Sequence, residues 1–154
     1  MDVLLVDGDP EVVGMAEAAC SSLHRRAQLH VARTGAQALA LLGAGSASEA
    51  GALPGLVVLE LQLDDMTGME VLSRIKTDAW LRSVPVVVFT GSSDACDLRA
   101  CYRAGANSYI KKPPAPEAMG ATVRQLLTYW VAVNEPPVQE RQGEEWKWPN
   151  GCGS

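Results

Sequence analysis

The chain predicts an α/β fold of (βα)5 type, with five strands alternating with five helices in one doubly wound, five-stranded parallel sheet. Two observations carry that expectation. The runs Val3-Leu4-Leu5-Val6, Leu56-Val57-Val58-Leu59 and Val86-Val87-Val88-Phe89 are short, apolar and unbroken by polar residues. Strands buried on both faces read this way, because helices cover both sides of a parallel sheet. Between the runs, apolar residues recur at helical spacing. The stretch Gly55 to Leu61 organises the rest. It ends on the carboxylate Glu60 and passes into the turn-rich segment Gln62 to Gly68. In open α/β sheets ligands collect at the carboxyl ends of the strands, so Glu60 stands where chemistry is expected.

In chain order, Met1 to Val6 reads as the first strand, closed by Asp7-Gly8-Asp9-Pro10. Pro10 behind an acidic cap starts a helix, and Val12, Ala16, Ala19/Cys20 and Leu23 mark its inner face. Gln28 to Ala32 alternates briefly and reads as a strand. Thr34 caps a helix over Gly35 to Gly43, with Ala38, Leu41 and Leu42 inward. Gly43 to Pro54 is rich in Gly, Ala and Ser and reads as a long loop. Gly68 opens a helix carrying Val71, Leu72 and Ile75 on one face, and Trp80-Leu81 packs under the connection that follows. Pro85 to Phe89 is the fourth strand. Ser93 or Asp94 caps a helix to Arg103, stopped by Ala104-Gly105-Ala106. Asn107 to Ile110 is the fifth strand. The last helix, Pro116 to Val133, sets Met119, Val123, Leu126, Leu127 and Trp130 in one stripe. One folded domain is expected over residues 1–133. A polar tail, 134–154, follows and holds Trp146 and Trp148.

A length of 154 residues suits a single domain that needs no disulfide staples. The net charge of -5, with no basic block, argues against a nucleic-acid partner or an anionic membrane surface. No apolar run approaches the roughly 18 residues of a membrane span, and no leader pattern precedes the first strand. A cytoplasmic location is expected. Cys20, Cys96, Cys101 and Cys152 form no C-x-x-C pair, and neither His24 nor His30 stands at metal-ligand spacing from them. They read as ordinary thiols. No nucleophile–base pair and no Gly-rich phosphate loop follow the first strand, so no catalytic residue is assigned and no enzyme activity is expected.

Polar groups end four strands: Asp7, Gly8 and Asp9 the first, Glu60 the third, Thr90 the fourth and Lys112 the fifth. Converging acids, a hydroxyl and a lysine suit a cation and a phosphoryl group. Four segments then resemble the receiver domain of bacterial response regulators. They are Val3 to Pro10, Leu59-Glu60-Leu61-Gln62-Leu63-Asp64-Asp65-Met66-Thr67-Gly68, Pro85 to Thr90, and Ala104-Gly105-Ala106-Asn107-Ser108-Tyr109-Ile110-Lys111-Lys112-Pro113. The resemblance covers residues 1–133. It implies the CheY-like, flavodoxin-like strand order 2-1-3-4-5 and a phospho-acceptor position at Glu60. It also implies an acidic pocket of Asp7 and Asp9, switch residues Thr90 and Tyr109, the phosphate-site lysine Lys112, and a Mg²⁺ site on Asp7, Glu60 and Gln62. A finer likeness, in Lys76 to Pro85 and Tyr129 to Val133, is to single-domain receivers that partner bacterial phytochromes. It implies a histidine kinase or another signalling protein as partner, and a homodimer through the fourth and fifth helices and the strand between them.

The sequence departs from the family at two positions. Glu60 stands where receivers carry an aspartate, and Gly8 stands where they carry a second metal-binding acid. Mg²⁺ demands near-octahedral geometry at about 2.0–2.1 Å. Losing one carboxylate and lengthening another disturbs both ligands. A weak or absent Mg²⁺ site, no cofactor and an output independent of phosphorylation are therefore expected. Glu60 either imitates a phosphoryl group held by Lys112 and Thr90, or pairs with Lys112 and leaves the switch dead. The alternative is a working phospho-receiver fed by a histidine kinase. Asp64-Asp65, in place of the family's Leu-Pro turn, reads as a solvated turn.

Overall fold

A computed structural model describes residues 1–24, 26–43 and 53–137. The elements are β1 (Asp2–Val6), α1 (Pro10–Ser22), β2 (Gln28–Ala32), α2 (Gly35–Leu41), β3 (Leu56–Leu59), α3 (Gly68–Thr77), β4 (Val86–Thr90), α4 (Ala95–Arg103), β5 (Ser108–Lys111) and α5 (Pro116–Thr128). A π-helical turn, Tyr129–Val133, continues α5. Every strand pair is parallel, and the order across the sheet is β2-β1-β3-β4-β5. This is the expected doubly wound (βα)5 topology.

Because side chains alternate along a strand, each apolar run feeds two cores. Leu4, Val6, Val57, Leu59, Val86 and Val88 point to one side and meet α2, α3 and Cys101 of α4. Val3, Leu5, Leu56, Val58, Val87 and Phe89 point to the other and meet α1 and α5. Burying each such side chain fully is worth about 1.5–3 kcal/mol. The central strands therefore hold the rim residues at their ends on a stiff base.

Local chemistry starts the helices where the strands release them. Asp9 accepts from the Glu11 N–H at the head of α1, with Pro10 already at helical φ. Thr67 and Glu70 form a reciprocal capping box on α3, and Asp94, rather than Ser93, caps α4. Gly68 is required by contact, since a Cβ there would lie 2.2 Å from the Glu60 carbonyl oxygen. Gly105, at φ +101, ends α4 in a conformation that L side chains rarely adopt.

Two details differ from the sequence expectation. Leu41 is 55% exposed, while Leu39 and Leu42 are buried. The inner face of α2 runs through positions 35, 38, 39 and 42, and Leu41 lies off it. The last α-helix ends at Thr128 rather than Val133, because the chain widens to i→i+5 bonding, with the Asn134 N–H donating to the Tyr129 carbonyl at 2.7 Å. Most of the expected loop, Trp146 and Trp148, and Cys152 lie outside the described residues. Among the described residues no helix is long and apolar enough to cross a membrane.

Candidate functional site

At the carboxyl end of the sheet, β1 delivers Asp7, β3 delivers Glu60, β4 delivers Thr90, and β5 leads to Lys112. Asp7, Glu60 and Thr90 are buried, at 2%, 7% and 0% exposure. Backbone ladder bonds carry past the strand ends and fix this rim. Glu60 N–H donates to the Val6 carbonyl, Asp7 N–H to that of Ala32, and Lys112 N–H to that of Thr90.

The Glu60 carboxylate is held on both oxygens. Oε1 accepts from the Leu61 N–H at 2.6 Å, the Gln62 N–H at 3.1 Å and the Thr90 hydroxyl at 2.5 Å. Oε2 lies 2.7 Å from Lys112 Nζ. Three donors therefore crowd on Oε1, and Lys112 is the donor on Oε2. The same ammonium reaches Asp7 Oδ2 at 2.7 Å, while Asp7 Oδ1 accepts from the Asp9 N–H at 2.9 Å. Lys112 Nζ also sits 5.6 Å from the centre of the Phe89 ring, within cation–π range.

Two carboxylates thus share one ammonium. Burial pushes the Asp7 carboxyl above its ordinary value, against the lowering effect of Lys112 and the Asp9 N–H. Burial works against the Lys112 charge too. Its hydrogen bonds to Asp7 and Glu60 and the field of both carboxylates outweigh that burial and raise its pKa.

A chain of hydrogen bonds leads outward from Glu60. The Thr90 hydroxyl donates to Glu60 and accepts from the Ser92 N–H at 3.3 Å. The Ser92 carbonyl accepts from the Tyr109 hydroxyl at 3.1 Å, and the Ser92 hydroxyl donates to Asp97 at 2.5 Å. Glu60, Thr90, Ser92 and Tyr109 therefore form one connected path from the pocket to the half-buried aromatic on β5. Ser92 and Asp97 were not singled out from the sequence. A Ser two residues before a helix cap, with an acid in the first turn, was the available signal.

Asp9 is not in the pocket. Its side chain is exposed and turned to the head of α1, and only its backbone N–H touches Asp7. Gln62 likewise brings only its N–H, its side chain being exposed and its backbone bridged to Thr67. Gly8 supplies no side-chain donor atom. The residues present do not fit an octahedral Mg²⁺ site, because Lys112 already lies against both the Asp7 and the Glu60 carboxylate and the third acid is missing. Among the described residues no group of three or more His, Cys, Asp or Glu stands where it could hold a metal ion.

Asp65 is more than the solvated turn expected. Its Oδ1 accepts from the Gly35 N–H at 2.9 Å and its Oδ2 from the Ala36 N–H at 2.8 Å. It clamps the loop after Glu60 to the start of α2, where free N–H groups attract a carboxylate. The Ala36 and Gly35 amides hold its carboxyl below the usual range.

Comparison with known proteins agrees with this fold. Residues 3–124 match the response regulator receiver domain, and the chain belongs to that family, the receiver modules of two-component signal transduction. Response regulator Rcp1 of Synechocystis sp. (strain ATCC 27184 / PCC 6803 / Kazusa) is 32% identical over 104 residues, which are 68% of this chain and 71% of that protein. The probable methanogenesis regulatory protein FilR2 of Methanothrix harundinacea (strain 6Ac) is 44% identical over 85 residues, and the chain spans only 55% of its length. The crystal structure of the Mn²⁺-bound form of Rcp1 superposes with a TM-score of 0.83 at 27% identity, covering 89% of this chain and 99% of that one. The phosphorylated cyanobacterial phytochrome response regulator RcpA superposes at 0.82 with 26% identity, covering 89% and 98%.

Proposed function

We propose that this receiver works as a protein-binding module of two-component signalling whose output does not depend on phosphorylation. One observation carries the reading: the Glu60 carboxylate already engages Lys112, Thr90 and two backbone amides. These are the hydroxyl, ammonium and N–H donors that a phosphoryl group would need. Both oxygens of Glu60 are engaged by these donors, which holds the carboxylate in place. Glu60 supplies one charge, where a phosphate carries about -1.5 to -2, so it satisfies the donors without building a metal site. Thr90, Ser92 and Tyr109 are then tied to Glu60 in one fixed arrangement.

The partner in this reading is a histidine kinase or another signalling protein. The likeness to Rcp1 and RcpA, the second named as a phytochrome response regulator, supports a kinase of phytochrome type. A second copy of the chain docks through α4, β5 and α5. Leu98, Tyr102 and Tyr129, exposed at 39%, 51% and 50%, supply apolar contact there.

Intact mass after incubation with acetyl phosphate and Mg²⁺ tests the central claim, with the Gly8→Asp/Glu60→Asp double variant beside wild type. A phosphoryl group gained by the variant alone is the expected result. Uptake by wild type overturns the reading in favour of a working phospho-receiver.

A further inference from the structure

β5 ends the sheet, so its outer edge pairs with no strand among the described residues. α4 and α5 flank it from opposite sides of the sheet. Between β5 and the π-helical turn lies a groove lined by Ile110, Leu126, Tyr129 and Trp130, with Asn107 and Gln125 at its border. On the α4 side, Leu98 and Tyr102 are one turn apart and exposed, and Arg99 and Arg103 are one turn apart beside them. Lys111 on β5 and Arg124 on α5 are exposed as well. The face is thus apolar at its centre and basic around it.

The described chain leaves this face directly. Tyr129 and Trp130 are walls of the groove, and the last described residue, Pro137, follows the same turn. Beyond it the sequence holds Glu140, Arg141, Glu144, Glu145, Trp146, Lys147 and Trp148. Two tryptophans in a polar stretch represent a large apolar area, each able to bury about 150–250 Å². The three acids near them outnumber the two basic residues and are opposite in charge to the basic rim. Trp146 lies nine positions after Pro137. At about 3.3–3.6 Å per residue that stretch spans roughly 30 Å, enough to cross β5 and reach α4.

We propose that this segment folds back on its own chain and seats Trp146 and Trp148 on the face formed by α4, β5 and α5, the acids lying against Arg99, Arg103 and Lys111. The segment then competes with a second copy for that face and limits self-association. This deepens the reading above, because it regulates the surface assigned there to the dimer.

A spin label on Cys152 tests it in the full-length chain. Cys96, the exposed thiol among the described residues, is first changed to Ser, while Cys20 and Cys101 are buried. The expected result is selective broadening of the amide signals of Leu98, Tyr102 and Ile110. It persists on dilution and is lost in Trp146→Ser/Trp148→Ser. The tryptophan-free variant also sediments with more dimer than wild type. Absence of selective broadening on this face overturns the proposal. So does broadening confined to isotope-labelled chains mixed with spin-labelled unlabelled ones, which places the segment on a second copy. The dimer is read separately by sedimentation. A monomer in both variants that still shows the broadening removes the dimer and its control by the segment, but leaves the fold-back standing. A dimer without the broadening removes only the fold-back.

Discussion

Lys112 is the residue on which the pocket's charge turns. Among the described residues it is the one cation held against Asp7 and Glu60, and all three side chains are nearly buried. Taking one member from a buried ionic group strands the rest, so Lys112→Met is expected to cost about 3–5 kcal/mol. Glu60→Gln keeps Lys112 paired with Asp7 and loses only charged hydrogen bonds, worth about 1.5–3 kcal/mol. Urea unfolding of both variants checks the order, and a Glu60→Gln loss larger than that of Lys112→Met contradicts it. Asp7 gives a separate test with pH. Its folded pKa lies above the ordinary 3.8, so the folded state holds that proton more tightly than the unfolded chain. The stabilisation is complete below 3.8 and is lost as pH rises through the folded value. The stability of Asp7→Asn relative to wild type should therefore improve as pH is raised from acid toward neutral. Lys112 is also raised, from 10.5, so its own contribution is lost only in alkali and adds no slope in that window.

At the scale of elements, the strands and their polar ends were legible because each depends on local pattern. A both-sided strand is a run of Val and Leu, and the residue that ends it is the one at the rim. What sequence did not disclose depends on partners far along the chain. Asp65 looks like a turn residue, yet its two amide partners lie 30 and 29 positions earlier. Asp9 looks like a pocket acid beside Asp7, yet capping α1 turns it outward. Leu41 was missed for a smaller reason: helical phase near a C-terminus shifts sides within one residue. The Asp65 clamp can be tested directly. Asp65→Ala should lower the unfolding midpoint by a few degrees and speed hydrogen exchange at Gly35 and Ala36, while Asp65→Asn keeps an acceptor and loses less. The Asp65 carboxyl lies below 3.8, so its stabilisation is present above that pH and disappears as pH falls through the folded value. The alanine variant and wild type should converge in acid. A gap that persists there means packing, not the capping charge, was lost.

For the whole molecule, the pocket decides whether a ligand can stabilise the fold. Anything that binds only the folded state stabilises it by mass action, by about 2.7 kcal/mol at a concentration 100 times its Kd. A receiver with a complete acid set should therefore melt later as Mg²⁺ is added. In this chain, Lys112 bridges Glu60 and Asp7, and Gly8 brings no carboxylate. Its melting midpoint should stay flat in Mg²⁺ once ionic strength is matched with NaCl. The backbone does not forbid the missing acid. A Cβ on Gly8 would meet only the Arg33 carbonyl, at 3.4 Å, an ordinary contact. Gly8→Asp/Glu60→Asp should therefore fold, regain oxygens unclaimed by Lys112 and show a midpoint that climbs with Mg²⁺. A wild-type midpoint that climbs equally would mean Mg²⁺ displaces Lys112 from the carboxylates, and would contradict the proposed phosphorylation-independent output. A double variant that folds yet stays flat would place the defect outside these two positions, in the loop that Asp65 ties to α2.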